Sequence, residues 1–426
     1  MKQQLPALLA VATVGIALGL FSLSGPMLLV ASPIVLYLIG AQFHRPDAPE
    51  LTVTRALSAT RVVPGQRVTV EVTITNHGAQ ISELLIRDIV PLLLVQVEGT
   101  STAQLVLPEG ESATIRYEVV APRGSYSFTH IVAEVAGDFP TRAYRYEFAC
   151  PRELITLPHH RSLARIPIAP RRTLVYAGTN PARTGGEGTE FFDVRETADS
   201  ARVKHINWRA TARAGDRVYV NEFQQERVAD VAIMLDCREG AYRADETGAL
   251  FEAATSAAAS LADTVLNAGN RVGYLGYGLM IDWIAPGFGR AQKHRILTRI
   301  ARSMTGTSHV FTELDNVPPR LFPQGSQVII ISPLADGDAR SIRSLLSHGH
   351  AILIVSPDPT SYEFADETDD YGRASNLIVT LERRVRLQRL RSAGAAVIDW
   401  NTAEPLESAV GRSLGMVQAA WRRRSR

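Results

Sequence analysis

Val231-Ala232-Ile233-Met234-Leu235-Asp236-Cys237-Arg238-Glu239-Gly240 is the stretch on which the reading of this chain turns. Five consecutive apolar residues without alternation predict a strand buried on both faces, as in a parallel sheet covered by helices. An acid directly after such a strand stands at its carboxyl end, where open α/β sheets collect ligand-binding groups.

Towards the C-terminus the pattern repeats. Residues 246–268 carry Leu250, Ala254, Ala257, Leu261 and Val265 on one helical stripe. Strands are predicted at 271–277, 280–284, 327–331, 351–355 and 395–398, and helices at 290–302, 339–347 and 376–393. Alternating strands and helices imply a mostly parallel sheet with helices on both faces, an α/β domain over 228–426. A last helix from Glu404 to about Arg422 places Leu406, Val410, Leu414, Val417 and Trp421 at helical spacing. Its tail, Arg422-Arg423-Arg424-Ser425-Arg426, is suited to anionic lipid.

Towards the N-terminus the period changes. Arg67–Thr75 alternates apolar and polar residues, the mark of a half-buried strand. Similar runs at 83–90, 113–120 and 126–135 are broken by Pro91, Pro108-Glu109-Gly110 and Pro122-Arg123-Gly124. Short strands at this spacing predict an all-β, Ig-like sandwich over 51–157. Residues 158–227 read as an Arg- and Pro-rich extended linker followed by a dense polar motif.

From Gln3 to Phe43 there are 41 residues without Asp, Glu, Lys or Arg. Ser24-Gly25-Pro26 divides them, predicting a transmembrane hairpin within 1–45, with helices about 5–22 and 27–43. Lys2 before it and Arg45 and Arg55 after it place both ends, and the soluble domains, in the cytoplasm. The chain is therefore expected in the inner membrane as a multi-pass protein, with lipid among its partners. A signal peptide ending near Ala31-Ser32, or a single span with an outside domain, are the alternatives.

Composition narrows the function. The 426 residues carry 45 basic and 43 acidic side chains, net +2, so no global field draws the chain to nucleic acid. Two cysteines, Cys150 and Cys237, exclude a disulfide framework and a Cys-rich zinc site. The scattered histidines, including His159-His160 and the pair His348 and His350, lack carboxylate-supported ligand spacing and read as surface or turn residues. The glycines of Gly273-Tyr274-Leu275-Gly276-Tyr277-Gly278 open no helix, so they are not a nucleotide loop.

The polar motif carries a resemblance. Gly186, Gly188, Glu190, Phe191, Arg195, Ile206, Trp208, Thr211, Ala212 and Arg213 stand at the spacing of the signature of the "domain of unknown function fifty-eight" family. The chain departs from that signature at Thr197, at Ser200-Ala201 and at Lys204. The resemblance implies a sandwich followed by a von Willebrand factor A-like domain, in membrane proteins associated with MoxR-type AAA+ ATPases. From the residues themselves, Arg195 and Arg213 suit carboxylate binding and Trp208 suits an anchor beneath them, a docking or structural network.

The implied A-like fold brings a metal-ion-dependent adhesion site after its first strand, Asp-x-Ser-x-Ser, with hard oxygen ligands for Mg²⁺. In this chain the acid is Asp236, but the two hydroxyl positions are Arg238 and Gly240. Pro333 stands where the family often places a late acid, with Asp336 displaced from it. Arg238 is expected to take the cation's place and pair with Asp236, so no metal or other cofactor is expected. The function these readings imply is a membrane-anchored, non-enzymatic protein-binding scaffold. It would work with a MoxR-type AAA+ ATPase in the assembly or maturation of client proteins. The alternatives are a hydrolase using Asp236 with Glu190 or Glu239 as base, and an extracytoplasmic adhesion protein.

Overall fold

The computed structural model describes residues 4–23, 25–43, 49–136, 143–164, 166, 168, 170, 173–197, 206–214, 217–243, 245–308, 314, 317–335, 337–363 and 370–424. The chain divides into two compact units, Met1–Thr156 and Leu157–Arg426.

In the first unit, helices α1 (Gln4–Phe21) and α2 (Gly25–Phe43) form from the two apolar arms. The expectation that they cross a membrane is corrected. Among the described residues no helix is long and apolar enough to do so. Pro33 also stands inside α2, where it removes one rung of the hydrogen-bond ladder. The transmembrane hairpin, the inner-membrane localisation and the orientation drawn from positive charge fall together.

Among the described residues nine strands follow: β1 (Leu51–Leu57), β2 (Arg61–Val62), β3 (Arg67–Asn76), β4 (Ile81–Asp88), β5 (Val95–Gly99), β6 (Thr102–Leu107), β7 (Ser112–Val120), β8 (Gly124–Ala136) and β9 (Ala143–Thr156). They form two sheets, ordered β1-β3-β7-β5 and β2-β9-β8-β4-β6. The inward residues of β3, namely Val68, Val70, Val72 and Ile74, are fully buried and share a core with Leu84, Ile86, Phe128, Ile131 and Leu154 of the other sheet. Period-two alternation thus builds the expected sandwich. One buried ion pair lies within it. Arg55 donates from Nε to Asp88 at 3.0 Å and lies over the Phe128 ring, and Tyr117 donates its hydroxyl to Asp88 at 2.7 Å.

The second unit opens with a segment pinned to a helix rather than a free connector. The Arg161 and Leu163 N–H groups donate to the hydroxyls of Ser260 and Thr264 at 3.1 and 2.8 Å. Then come β10 (Thr173–Thr197), α3 (Trp208–Ala214), β11 (Val218–Asp236), α4 (Ala249–Asn267), β12 (Arg271–Tyr277), β13 (Ile281–Gly287), α5 (Gly289–Arg302), β14 (Gln327–Ile331), α6 (Asp338–Ser347), β15 (Ala351–Pro357), α7 (Thr360–Glu363), α8 (Asp370–Ser392), β16 (Ala396–Trp400) and α9 (Leu406–Arg424). The sheet order is β13-β12-β11-β14-β15-β16. All neighbours along it are parallel except β13, which runs antiparallel to β12. Strands β14 and β15 are buried along their whole length, and separate apolar clusters cover the two sheet faces, as the uninterrupted apolar runs require. Strand β11 is longer than expected. Its N-terminal half leaves the sheet to pair antiparallel with β10, with several register shifts.

Candidate functional site

The strand order reverses at β11, which has β12 on one side and β14 on the other. Chain connections leave in opposite directions from this point, which opens a crevice outside the carboxyl ends of the strands. Asp236 ends β11 there and is fully buried.

Its partner is Arg238, 5% exposed, as the sequence led us to expect. Arg238 donates from Nε to Asp236 Oδ1 at 2.9 Å and from Nη2 to Asp236 Oδ2 at 2.7 Å. The other edge of the same guanidinium grips a second acid, Asp338, with Nη1 to Oδ1 at 2.9 Å and Nη2 to Oδ2 at 2.8 Å. The planar fork therefore lies between two carboxylates and binds each bidentately. Burial alone would favour losing the arginine's proton, but the hydrogen bonds and charges of Asp236 and Asp338 outweigh it, and the guanidinium is held above its ordinary value.

The surroundings complete both acids. Ser332 Oγ donates to Asp236 Oδ2 at 2.6 Å, and the Arg238 N–H donates to Asp236 Oδ1 at 3.0 Å. Asp338 accepts the Ala335 N–H at 2.8 Å. The Tyr242 hydroxyl donates to the Asp236 carbonyl at 2.9 Å. Burial first, and Asp236 next, push the Tyr242 hydroxyl well above its ordinary value, so it stays protonated. Leu334, at φ 70°, turns the chain from β14 towards α6, and its N–H donates to Ser332 Oγ.

A cavity of about 250 Å³ opens above this centre, lined by Arg238, Glu239, Gly240, Arg243, Thr307 and Ala335 among others. Gly278 lets two of its walls approach. A Cβ there would lie 2.4 Å from the Cys237 carbonyl group and 2.8 Å from the Arg238 nitrogen. The loop after α5 closes the third wall, since Gly306 exchanges backbone hydrogen bonds with Cys237 and Glu239.

Sequence reasoning located Asp236, Arg238 and Gly240 but missed Ser332 and Asp338. Pro333 brings no acid to the site, and Asp336 lies outside the described residues. Asp338 reaches the site because α6 begins with it and aims it back at β11. Residues Asp236, Asp338 and Ser332 alone would suit a hard cation. With the guanidinium set between the two carboxylates, they do not fit one. Among the described residues no group of three or more His, Cys, Asp and Glu side chains could hold a metal ion.

The motif residues gather elsewhere. Gly186, Gly188, Glu190, Phe191 and Arg195 lie on β10, Gly186 and Phe191 both opposite Phe223 and Arg195 opposite Val220. Their side chains, including the Glu190 carboxylate, fall outside the described residues. Trp208 is 65% exposed on α3, so it is not an anchor beneath the arginines. Arg213 is exposed too. Thr211 Oγ1 accepts the Tyr219 N–H at 3.0 Å, tying α3 to β11. Val220 and Asp236 are separated by ~50 Å of strand at ~3.3 Å per residue, so motif and ion-pair centre are distinct places. Cys237 is buried. His350 is buried as well, bonded to Ser326 and edge-on to Phe322, rather than a surface residue.

A family model described as "Protein of unknown function DUF58" matches residues 193–388. No curated protein matches the chain. Solved structures that resemble part of it include the CARDB domain of a Pyrococcus furiosus protein, crystallised with di-metal ions, at 17% identity and TM-score 0.19 over 26% of this chain and 90% of that one. The cupredoxin domain of amoB from Nitrosocaldus yellowstonii gives 9% identity and TM-score 0.19 over 25% and 86%. A FixG-related protein from Vibrio parahaemolyticus gives 11% and 0.18 over 25% and 95%. At these values the likenesses assign neither a fold nor a ligand.

Proposed function

This chain belongs to the DUF58 family, and from that premise we propose that it is a non-enzymatic protein-binding scaffold. The observation that carries the reading is the contrast between a saturated centre and an apolar rim. Arg238, Asp236 and Asp338 satisfy one another beneath the surface. Around them, Leu279, Met280 and Met304 stand 47%, 64% and 66% exposed on two neighbouring loops. Exposed apolar side chains rimmed by charges mark interaction surfaces, and methionine adapts to varied partners. The reversed strand order and antiparallel edge strand support a von Willebrand factor A-like reading of the second unit. The family resemblance supplies the partner class: a MoxR-type AAA+ ATPase, with client proteins whose assembly or maturation the pair serves.

The test is affinity capture with the full chain from a lysate of its source cells. We expect an AAA+ ATPase to be recovered, and the double variant M280D/M304D to lose it while unfolding at the same urea concentration as the parent. Recovery of no AAA+ protein, or equal recovery by the variant, overturns the reading.

A further inference from the structure

Helix α8 is buried along one face and presents the opposite one to solvent. Arg383, Leu387 and Leu390 face the sheet at spacings of four and three, each 5% exposed or less. On the far face Leu377, Ile378, Leu381 and Val385 stand 47–60% exposed in a continuous stripe. A surface helix normally keeps this face polar.

The stripe runs into a groove. Between α6 and the C-terminal half of α8 a cavity of about 1020 Å³ opens, with Arg343, Arg384, Val385, Gln388, Arg389 and Arg391 on its walls and no carboxylate among its lining residues. Arg343, Arg384 and Arg389 are exposed, and among the described residues none of the three pairs with an acid. Arg391 reaches the Val397 carbonyl only at 3.5 Å. Like charges gathered without a counter-charge raise the local potential and draw anions. Guanidinium forks hold carboxylates bidentately.

We propose that this face of α8 and the adjoining groove dock an acidic amphipathic segment of a partner protein, its apolar side on the Leu377–Val385 stripe and its carboxylates on Arg343, Arg384 and Arg389. Charge complementarity selects an anionic occupant. The apolar stripe in line with the arginines selects a protein helix over nucleic acid, which has no apolar face to cover Leu381 and Ile378. The surface is separate from the rim of the carboxyl edge, and its test stands apart from that reading.

The probe is a fluorescein-labelled helical peptide of about 16 residues, roughly 24 Å long, with Leu on one face and Glu beside it. Its anisotropy is followed as full-length protein is added. We expect saturable binding that weakens with salt, and at least about tenfold weaker binding when Gln replaces Glu in the peptide. The charge reversal R384E/R389E and, separately, Leu381→Asp should each lower affinity about tenfold. The neutral R384Q/R389Q guards against misfolding of the reversed variant, and each protein's urea transition is recorded beside its binding. Peptide affinity unchanged in both arginine variants overturns the proposal. So does binding of the Gln peptide equal to that of the Glu peptide, or preference for charge-matched duplex DNA or phosphatidylserine vesicles. Failure of the Glu peptide to bind the parent chain also overturns it.

Discussion

Replacing Arg238 by Ala removes the brace between two buried acids, and the consequence can be worked from the contacts. Four N–H···O contacts of 2.7–2.9 Å disappear. Asp236 keeps Ser332 Oγ and one backbone N–H, and Asp338 keeps the Ala335 N–H, so neither acid is stripped of donors. What is lost is the cation that bridges them, and breaking such a buried pair costs about 3–5 kcal/mol. All four tryptophans lie beyond residue 156, so their fluorescence reports unfolding of the second unit alone. In urea, with a slope of about 2–3 kcal/mol/M, the midpoint should fall by about 1–2.5 M. The variant also gains something. Two carboxylates and a hydroxyl now face a vacated space, a hard oxygen set for Mg²⁺. At a Mg²⁺ concentration about 100 times its dissociation constant, binding should restore about 2.7 kcal/mol. The parent should show no such response. A midpoint that moves by less than 0.3 M, or equal Mg²⁺ stabilisation of parent and variant, would refute the reasoning.

Further outcomes follow from the same contacts. Gly278→Ala drives a Cβ into the Cys237 and Arg238 backbone and should cost about 2 kcal/mol by the tryptophan assay, whereas Gly240→Ala, with open space around it, should be neutral. In the sandwich, Tyr117→Phe deletes a 2.7 Å hydrogen bond to a charged acceptor and should cost about 2 kcal/mol, read by circular dichroism. Burial first, and Asp88 second, raise the Tyr117 hydroxyl above its ordinary value of 10.0. Its contribution to stability is therefore complete below pH 10 and lost as pH rises beyond it, so the parent should lose more stability between pH 9 and pH 11 than Tyr117→Phe does. The urea midpoint of the parent should be unchanged by chelators, because the Arg238 guanidinium already occupies the space between Asp236 and Asp338.

Much of the α/β unit was legible because burial on both faces writes itself as an unbroken apolar run. Gln327–Ile331 and Arg271–Tyr277 are strands at the residues the pattern gave. The β10–β11 hairpin was not. Pro181 and the glycines at 185, 186 and 188 break period two, and the pairing itself shifts register at each of these places, so the strand carries no periodic signal. Asp338 was invisible for a different reason. Its role depends on the left-handed turn at Leu334 and the start of α6, which decide how far past β14 an acid returns to the crevice, and no local pattern encodes that distance. The apolar arms of the first unit show the opposite failure. They read correctly as helices, but the membrane span drawn from their length and lack of charge does not hold: among the described residues no helix is long and apolar enough to cross.

The ion-pair centre also bears on how binding at this edge would be controlled. A metal site with an open coordination position is conditional: it binds when the ion is present and the partner offers an oxygen. Arg238 has no such open position, for the two acids take up both edges of its fork. A second buried arginine repeats the device one strand pair along. Arg383 of α8 donates to the Pro333 and Ser356 carbonyls at 3.1 Å and to Asp399 at 2.7 Å, binding the ends of β14, β15 and β16 together. Two arginines thus brace most of the carboxyl edge by permanent contacts, with no ion required. Rigidity of that kind lowers the ordering cost of docking. If this edge docks a partner as proposed, discrimination falls to the rim, where the exposed side chains of Leu279, Met280 and Met304 would supply it by shape and apolar contact.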